Sequence, residues 1–197
     1  MIAAYSPFYK QRLKTDAKGV EVDRSFIAHY VIAETNATAP GVANVLAATA
    51  LTAEVQEITT GITQPKVPRV LSVKGNDANV AGNVVIEGTD FAGATITDTI
   101  VAAGTGTIVG AKAFATITKI TLPPYDTAGT ETISIGLADA FGIPYKLPYD
   151  TVLKIYNNNT ATTVASGSAF STTILAGNYI KPTAALNGKQ IDVYLIV

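Results

Sequence analysis

The chain has no cysteine and no tryptophan, one histidine and one methionine, and only 15% of its residues are charged. Without cysteine there is no disulfide framework and no thiolate for nucleophilic or metal chemistry. His29 lacks a second histidine or a cysteine to complete a zinc site of the usual kind, and within FIAHYVI it reads as a satisfied strand residue. A Ser-His-Asp triad would have to use that imidazole, no G-x-S-x-G elbow exists, and Ser166-Gly167-Ser168 reads as a turn. A net charge of −1 argues against bulk nucleic-acid binding, which needs a concentrated excess of Lys and Arg. Lys10, Arg12, Lys14 and Lys18 do cluster, but Asp16 interrupts them, as on a solvated arm. No run approaches the ~18 apolar residues of a spanning helix, and MIAAYSPFYKQRLK has neither a signal-peptide nor an anchor pattern.

What the chain does have is threonine and alanine, each about one residue in seven, and 48% hydrophobic residues overall. Such a surface is either covered by small polar side chains or hidden against other subunits. From Val70 to Ile135 the segments VLSVKG, NVVIEG, ATITDTIV, TITKITL and ETISIG follow one another with turn residues between them, which predicts a string of short strands. FIAHYVI predicts another. LAATALT and VQEITT, within Val42 to Ile58, read as two more, although the alanine content also suits a helix. QPKVPR is a connector, since two prolines remove ladder donors. GLADAFGIPYKLP, Gly136 to Pro148, reads as a boundary or crossover. Asn157-Asn158-Asn159 predicts a turn, and Asn187-Gly188 a hairpin leading into the final strand, Gln190 to Val197. That strand ends in YLIV and reads as central, buried on both faces or sealed by a neighbouring chain.

The candidate chemistry is thin. GTGTIVG has the wrong final spacing for a dinucleotide loop and reads as a β-hairpin loop. Asp77, Glu87, Asp90 and Asp98 could offer oxygens to Ca²⁺ but lack the D-x-D-x-D spacing. Asp98 falls on the isoleucine face of ATITDTI, which marks an edge, a bulge or a subunit contact. No cofactor, metal or catalytic residue is expected. The expected architecture is all-β: an antiparallel β-sandwich or jelly-roll-like domain with an extended N-terminal arm. The arm covers residues 1–25 and the β-rich domain 26–197, divided into leading strands and connector at 26–65, a central strand run at 66–148 and C-terminal strands at 149–197. The expected contact residues are Tyr5, Phe8, Tyr9, Lys10, Arg12 and Lys14 on the arm, with Leu195 and Val197 in the last strand.

Across residues 60 to 197 the order of several blocks resembles a family of tailed-bacteriophage virion structural proteins. The blocks are Pro68-Arg69, G-T-x-x-A-G at Gly88, K-A-F-x-T-I-T-x-I at Lys112, I-G-x-x-D-x-x-G-I-P at Ile135 and A-L-N-G at Ala185. The resemblance implies a non-enzymatic protein of the phage particle, made in the bacterial cytoplasm. It would be a decoration or auxiliary protein on the capsid exterior, bound to the major capsid protein lattice and to itself as a homo-oligomer, commonly a trimer. A receptor- or carbohydrate-binding element of a fibre or tail is the alternative, with Gly104 to Gly110 and Asn157 to Thr160 as its contact loops.

Overall fold

The computed structural model describes residues 13–22, 25–126 and 129–197. These form fifteen strands: β1 (Leu13–Lys14), β2 (Glu21–Val22), β3 (Ile27–Ile32), β4 (Gly41–Ala50), β5 (Gln56–Ile58), β6 (Arg69–Gly75), β7 (Ala81–Thr89), β8 (Thr95–Ala103), β9 (Thr107–Phe114), β10 (Thr116–Leu122), β11 (Thr132–Gly142), β12 (Val152–Asn157), β13 (Thr160–Thr162), β14 (Tyr179–Ile180) and β15 (Ile191–Ile196). Every ladder between them is antiparallel. The all-β sandwich expectation therefore holds, and both halves of Val42 to Ile58 are strands. Within the expected arm, the described part folds back as the small β1–β2 ladder.

Two sheets make the sandwich. One has the order β5-β10-β7-β8; in the other, β11 lies between β6 and β4, with β9 beyond β6 and β14 continuing the ladder past the end of β4. Period-two alternation places Val84 and Ile86 of β7 and Ile100 of β8 inward, against Leu71, Val73, Ile133 and Ile135 of the facing sheet. The outward positions of β8 are three threonines, Val101 and Ala103, and Lys119 on β10 sits between Glu87 and Glu57, at 2.7 and 3.2 Å. The third sheet, β13-β12-β15-β3, forms a C-terminal lobe. Its inward residues, Ile155, Ile191, Val193, Leu195 and Ile32, pack on Phe141, Ile143, Leu147, Ile180 and Leu186.

Strand β11 serves both lobes. Ile133, Ile135 and Leu137 belong to the sandwich core, whereas Phe141 belongs to the C-terminal core. Of the boundary or crossover read at Gly136 to Pro148, the passage from one core to the other is there, but the strand does not break at Gly136 and runs on to Gly142. Gly136 is glycine because a Cβ there would overlap the carbonyl of Gly41, where β4 begins alongside. It permits close approach rather than a turn.

At the seam Arg69 is 1% exposed. Its Nη1 donates to the carbonyl of Thr38 at 2.6 Å and its Nη2 to that of Ala138. Burial pulls the guanidinium down to about 10, and Asp139 opposes that pull. Tyr30 crosses the same seam, with its ring 6.1 Å from Phe91 of the sandwich and 6.4 Å from Phe141.

Two turn readings are also corrected. Gly104-Thr105-Gly106 does not close a hairpin, because β8 pairs with β7 and β9 with β6; it arches from one sheet to the other. Gly188 does turn, at φ +78°, but no strand precedes it, and β15 is held by β12 and β3. The Asn158-Asn159 turn is a true two-residue β12–β13 hairpin with both φ values positive, as a type I′ turn requires.

Candidate functional site

The C-terminal sheet buries one face and leaves the other open. On β3 the alternation turns Ala28, Tyr30 and Ile32 inward and Ile27, His29 and Val31 outward. On β15 the inward set is Ile191, Val193 and Leu195, and the outward set is Asp192, Tyr194 and Ile196. Lys154 and Tyr156 of β12 complete the outer face, since Lys154 pairs with Tyr194 and Tyr156 with Asp192. The one expectation that β15 is central therefore holds, but only one of its faces is sealed.

Cross-strand register brings the outer residues together. His29 lies opposite Tyr194, and their rings stack at 4.3 Å with 4° between planes. The His29 Nε2 is 2.9 Å from Asp192 Oδ1, while Gln190 Nε2 donates to Asp192 Oδ2 at 3.0 Å. Tyr156 meets Tyr194 edge-on at 6.3 Å, and the Lys154 ammonium stands 5.9 Å from the Tyr156 ring centre. Lys154, Tyr156, Asn159, Gln190, Asp192 and Tyr194 line an open depression of about 540 Å³. The αL backbone of the Asn158-Asn159 turn sets Asn159 at its rim.

Beside this depression the edge of the sheet is bare among the described residues. Strand β3 pairs only with β15 among the described residues. Phe26 and Ile27 are 70% and 67% exposed, with Val31 and Val197 also exposed. Phe26 and Val197 exchange both backbone hydrogen bonds, at 3.1 and 2.9 Å, which carries the ladder to the end of the lobe.

Of the expected contact residues, Tyr5, Phe8, Tyr9, Lys10 and Arg12 lie outside the described residues, and Lys14 is in β1. Val197 is exposed, as a contact residue must be. Leu195 is corrected: it is fully buried in the core of its own chain and presents nothing to a partner. The four sandwich carboxylates considered for calcium are each used locally. Asp77 accepts from the Asn79 amide, Asp90 from those of Ala92 and Ala94, and Asp98 from those of Ala111 and Lys112, while Glu87 pairs with Lys119. Among the described residues no three histidine or acidic side chains converge as a metal site would need, and no helix is long and apolar enough to cross a membrane. Sequence reasoning missed the His29–Asp192–Tyr194 cluster because 163 positions separate its first two members.

Comparison with protein families, with characterised proteins and with solved structures gives no match to this chain.

Proposed function

We propose that this protein is a non-enzymatic structural component of a tailed-phage particle, an auxiliary protein that decorates and braces the head lattice while pairing with copies of itself. The observation that carries the reading is the β3 edge, which is bare among the described residues. Soluble chains rarely leave a six-residue apolar strand unpaired, because its free N–H and C=O groups recruit another strand. The edge is self-complementary. With His29 as the centre of an antiparallel pair, Ile27 meets Val31 of a second copy, Ala28 meets Tyr30, and Phe26 meets Ile32. These three pairs join hydrophobic side chains, with Ala28 against Tyr30 and Phe26 against Ile32 on the inner side, and the two His29 rings meet at the centre. This twofold arrangement is favoured over the threefold one that the family resemblance implies. A Thr-rich sandwich face with few ion pairs suits a role in which rigidity matters more than chemistry.

Two measurements test the proposal. Light scattering on the purified protein is expected to give a dimer that Ile27→Lys with Val31→Lys reduces to monomer; a monomeric native protein would remove the self-pairing. Cryo-EM with band densitometry of purified particles is expected to place hundreds of copies over the head. A handful at the neck or tail would favour the second reading, a receptor-binding element, for which the aromatic depression is the supporting feature.

A further inference from the structure

We propose that the depression on the open face of the C-terminal sheet is a binding site for one pyranose ring of a neutral surface polysaccharide. The inference does not depend on where in a particle the protein sits, and edge-to-edge pairing through β3 leaves this face open.

Three features argue for it. The first is an aromatic platform. His29 stacks on the Tyr194 ring from β3, and Tyr156 of β12 stands edge-on to it at 6.3 Å, so the two tyrosine rings form an aromatic corner in the wall of the depression. A pyranose lays its apolar C–H face on such a ring and directs its hydroxyls outward.

The second feature is a set of polar groups around that platform with hydrogen-bonding capacity to spare. The Tyr156 and Tyr194 hydroxyls, the Lys154 ammonium and the Asn159 amide have no hydrogen-bond partner in the protein among the described residues. Together they offer donors and acceptors to vicinal hydroxyls, as planar amides and phenols do. The charges of Lys154 and Asp192 balance, which selects a neutral sugar over an acidic one.

The third is that the platform is held in place before any ligand arrives. Asp192 is fixed from both sides, by His29 and by Gln190, and His29 in turn holds the Tyr194 ring. Locked side chains on strands cost less to order on binding than loose ones on loops. Over the rest of the outer surface the exposed strand positions are largely threonine and alanine, which offer no such platform.

The test is saturation-transfer NMR on the full chain with the methyl glycosides of glucose, galactose and mannose and with N-acetylglucosamine, each at millimolar concentration. At least one is expected to receive saturation on the ring protons of a single face. Tyr194→Ala should weaken that binding about tenfold, with the buried face of β15 untouched. Asn159→Gly, which suits the positive φ of its turn and so preserves the fold, should weaken it about threefold. Thr99→Ala, on the sandwich, should leave it unchanged. Absence of transfer to all four sugars, or transfer that survives both site variants, overturns the proposal. Binding in the isolated protein together with a failure to find copies on the head would overturn the decoration reading and leave this one standing.

Discussion

The two lobes share one strand and the same antiparallel pairing, yet they finish their edges in opposite ways. In the sandwich, β8 and β9 end adjacent sheets, and Asp98 stands between them. Its Oδ2 accepts from the Ala111 and Lys112 amides at 2.8 and 3.2 Å, and the Lys112 ammonium reaches back to the Thr97 carbonyl. Strand β4 is broken twice by register shifts, and Thr63 donates to Val45 on its outer side. In the C-terminal lobe, β3 is straight through six paired residues, with Ile27, His29 and Val31 outward, and nothing pairs with its far edge among the described residues. A bulged or capped edge refuses partners and a bare one recruits them. The sandwich thus closes its β8 and β9 edges with a side chain, and the C-terminal lobe leaves the far edge of β3 unpaired among the described residues, which is the feature the proposed self-pairing uses.

The largest expected effect comes from cutting the lobes apart at Arg69. Arg69→Ala leaves the Thr38 and Ala138 carbonyls without their donors and opens a void at the seam. A buried polar group left without its partner costs about 1–3 kcal/mol, here twice, and the lost side-chain volume adds to it. The C-terminal lobe should then melt ahead of the sandwich. With no tryptophan present, emission from the described tyrosines reports mainly the C-terminal lobe, which holds Tyr30, Tyr145, Tyr149, Tyr156 and Tyr194, while Tyr125 and Tyr179 pack on the sandwich sheets. Urea unfolding followed by tyrosine emission and by circular dichroism should coincide in the native chain and separate in the variant. Coincident curves in Arg69→Ala would mean that β11 alone couples the lobes.

How much of this contrast could be read from the chain depends on how local its causes are. The alternation in β7 and β8 and the Asn158-Asn159 turn are encoded within a few residues, and they were legible. The oddity of Asp98 was legible too, as an edge signal, because a carboxylate on an isoleucine face contradicts its neighbours. Which strands pair is not local: GTGTIVG looks like any hairpin loop, and only the capture of the β9 amides by Asp98 makes it an arch between sheets. Gly136 and Gly142 read as breakers because sequence does not distinguish a glycine that turns from one that lets another strand approach. Leu195 looked like a contact residue for a related reason. An apolar terminus says that something covers it, and here the cover is the chain's own Phe141 and Ile143 core.

A second test uses pH to sharpen the seam. Burial pushes the Tyr30 phenol up to about 12 from its ordinary 10. Between those values the unfolded chain gives up the proton and the folded chain keeps it, so stability falls as pH rises through the window. The full effect is about 2.7 kcal/mol for two units at 1.36 each. Arg69 works in the other direction, because its folded form loses its proton first, from about 10 upward, and this raises stability. Tyr30→Phe removes the first effect and leaves the second. Its melting temperature relative to the native chain is expected to be nearly constant up to pH 10 and to rise above it. A constant difference across the whole range would show that the phenol reaches solvent and that the seam is open at Phe91.

The smallest expected effect on stability is also the most direct test of the edge argument. Asp98→Ala frees two part-buried amides on β9, at about 1 kcal/mol for each hydrogen bond lost where water can replace it. Gly110 marks how closely that carboxylate is fitted, since a Cβ at that position would press on Asp98 Oδ2. Beyond the stability loss, the variant exposes strand edges on the sandwich that resemble the one β3 presents in the native chain. If bare edges are what recruit partners, Asp98→Ala should form larger species with rising concentration, even in the Ile27→Lys, Val31→Lys background where β3 is blocked. Sedimentation velocity over a concentration series would show it. A variant that loses stability yet stays monomeric in that background would mean that the carboxylate only satisfies its amides, and that the difference between the lobes lies in the apolar side chains of β3 rather than in its free backbone.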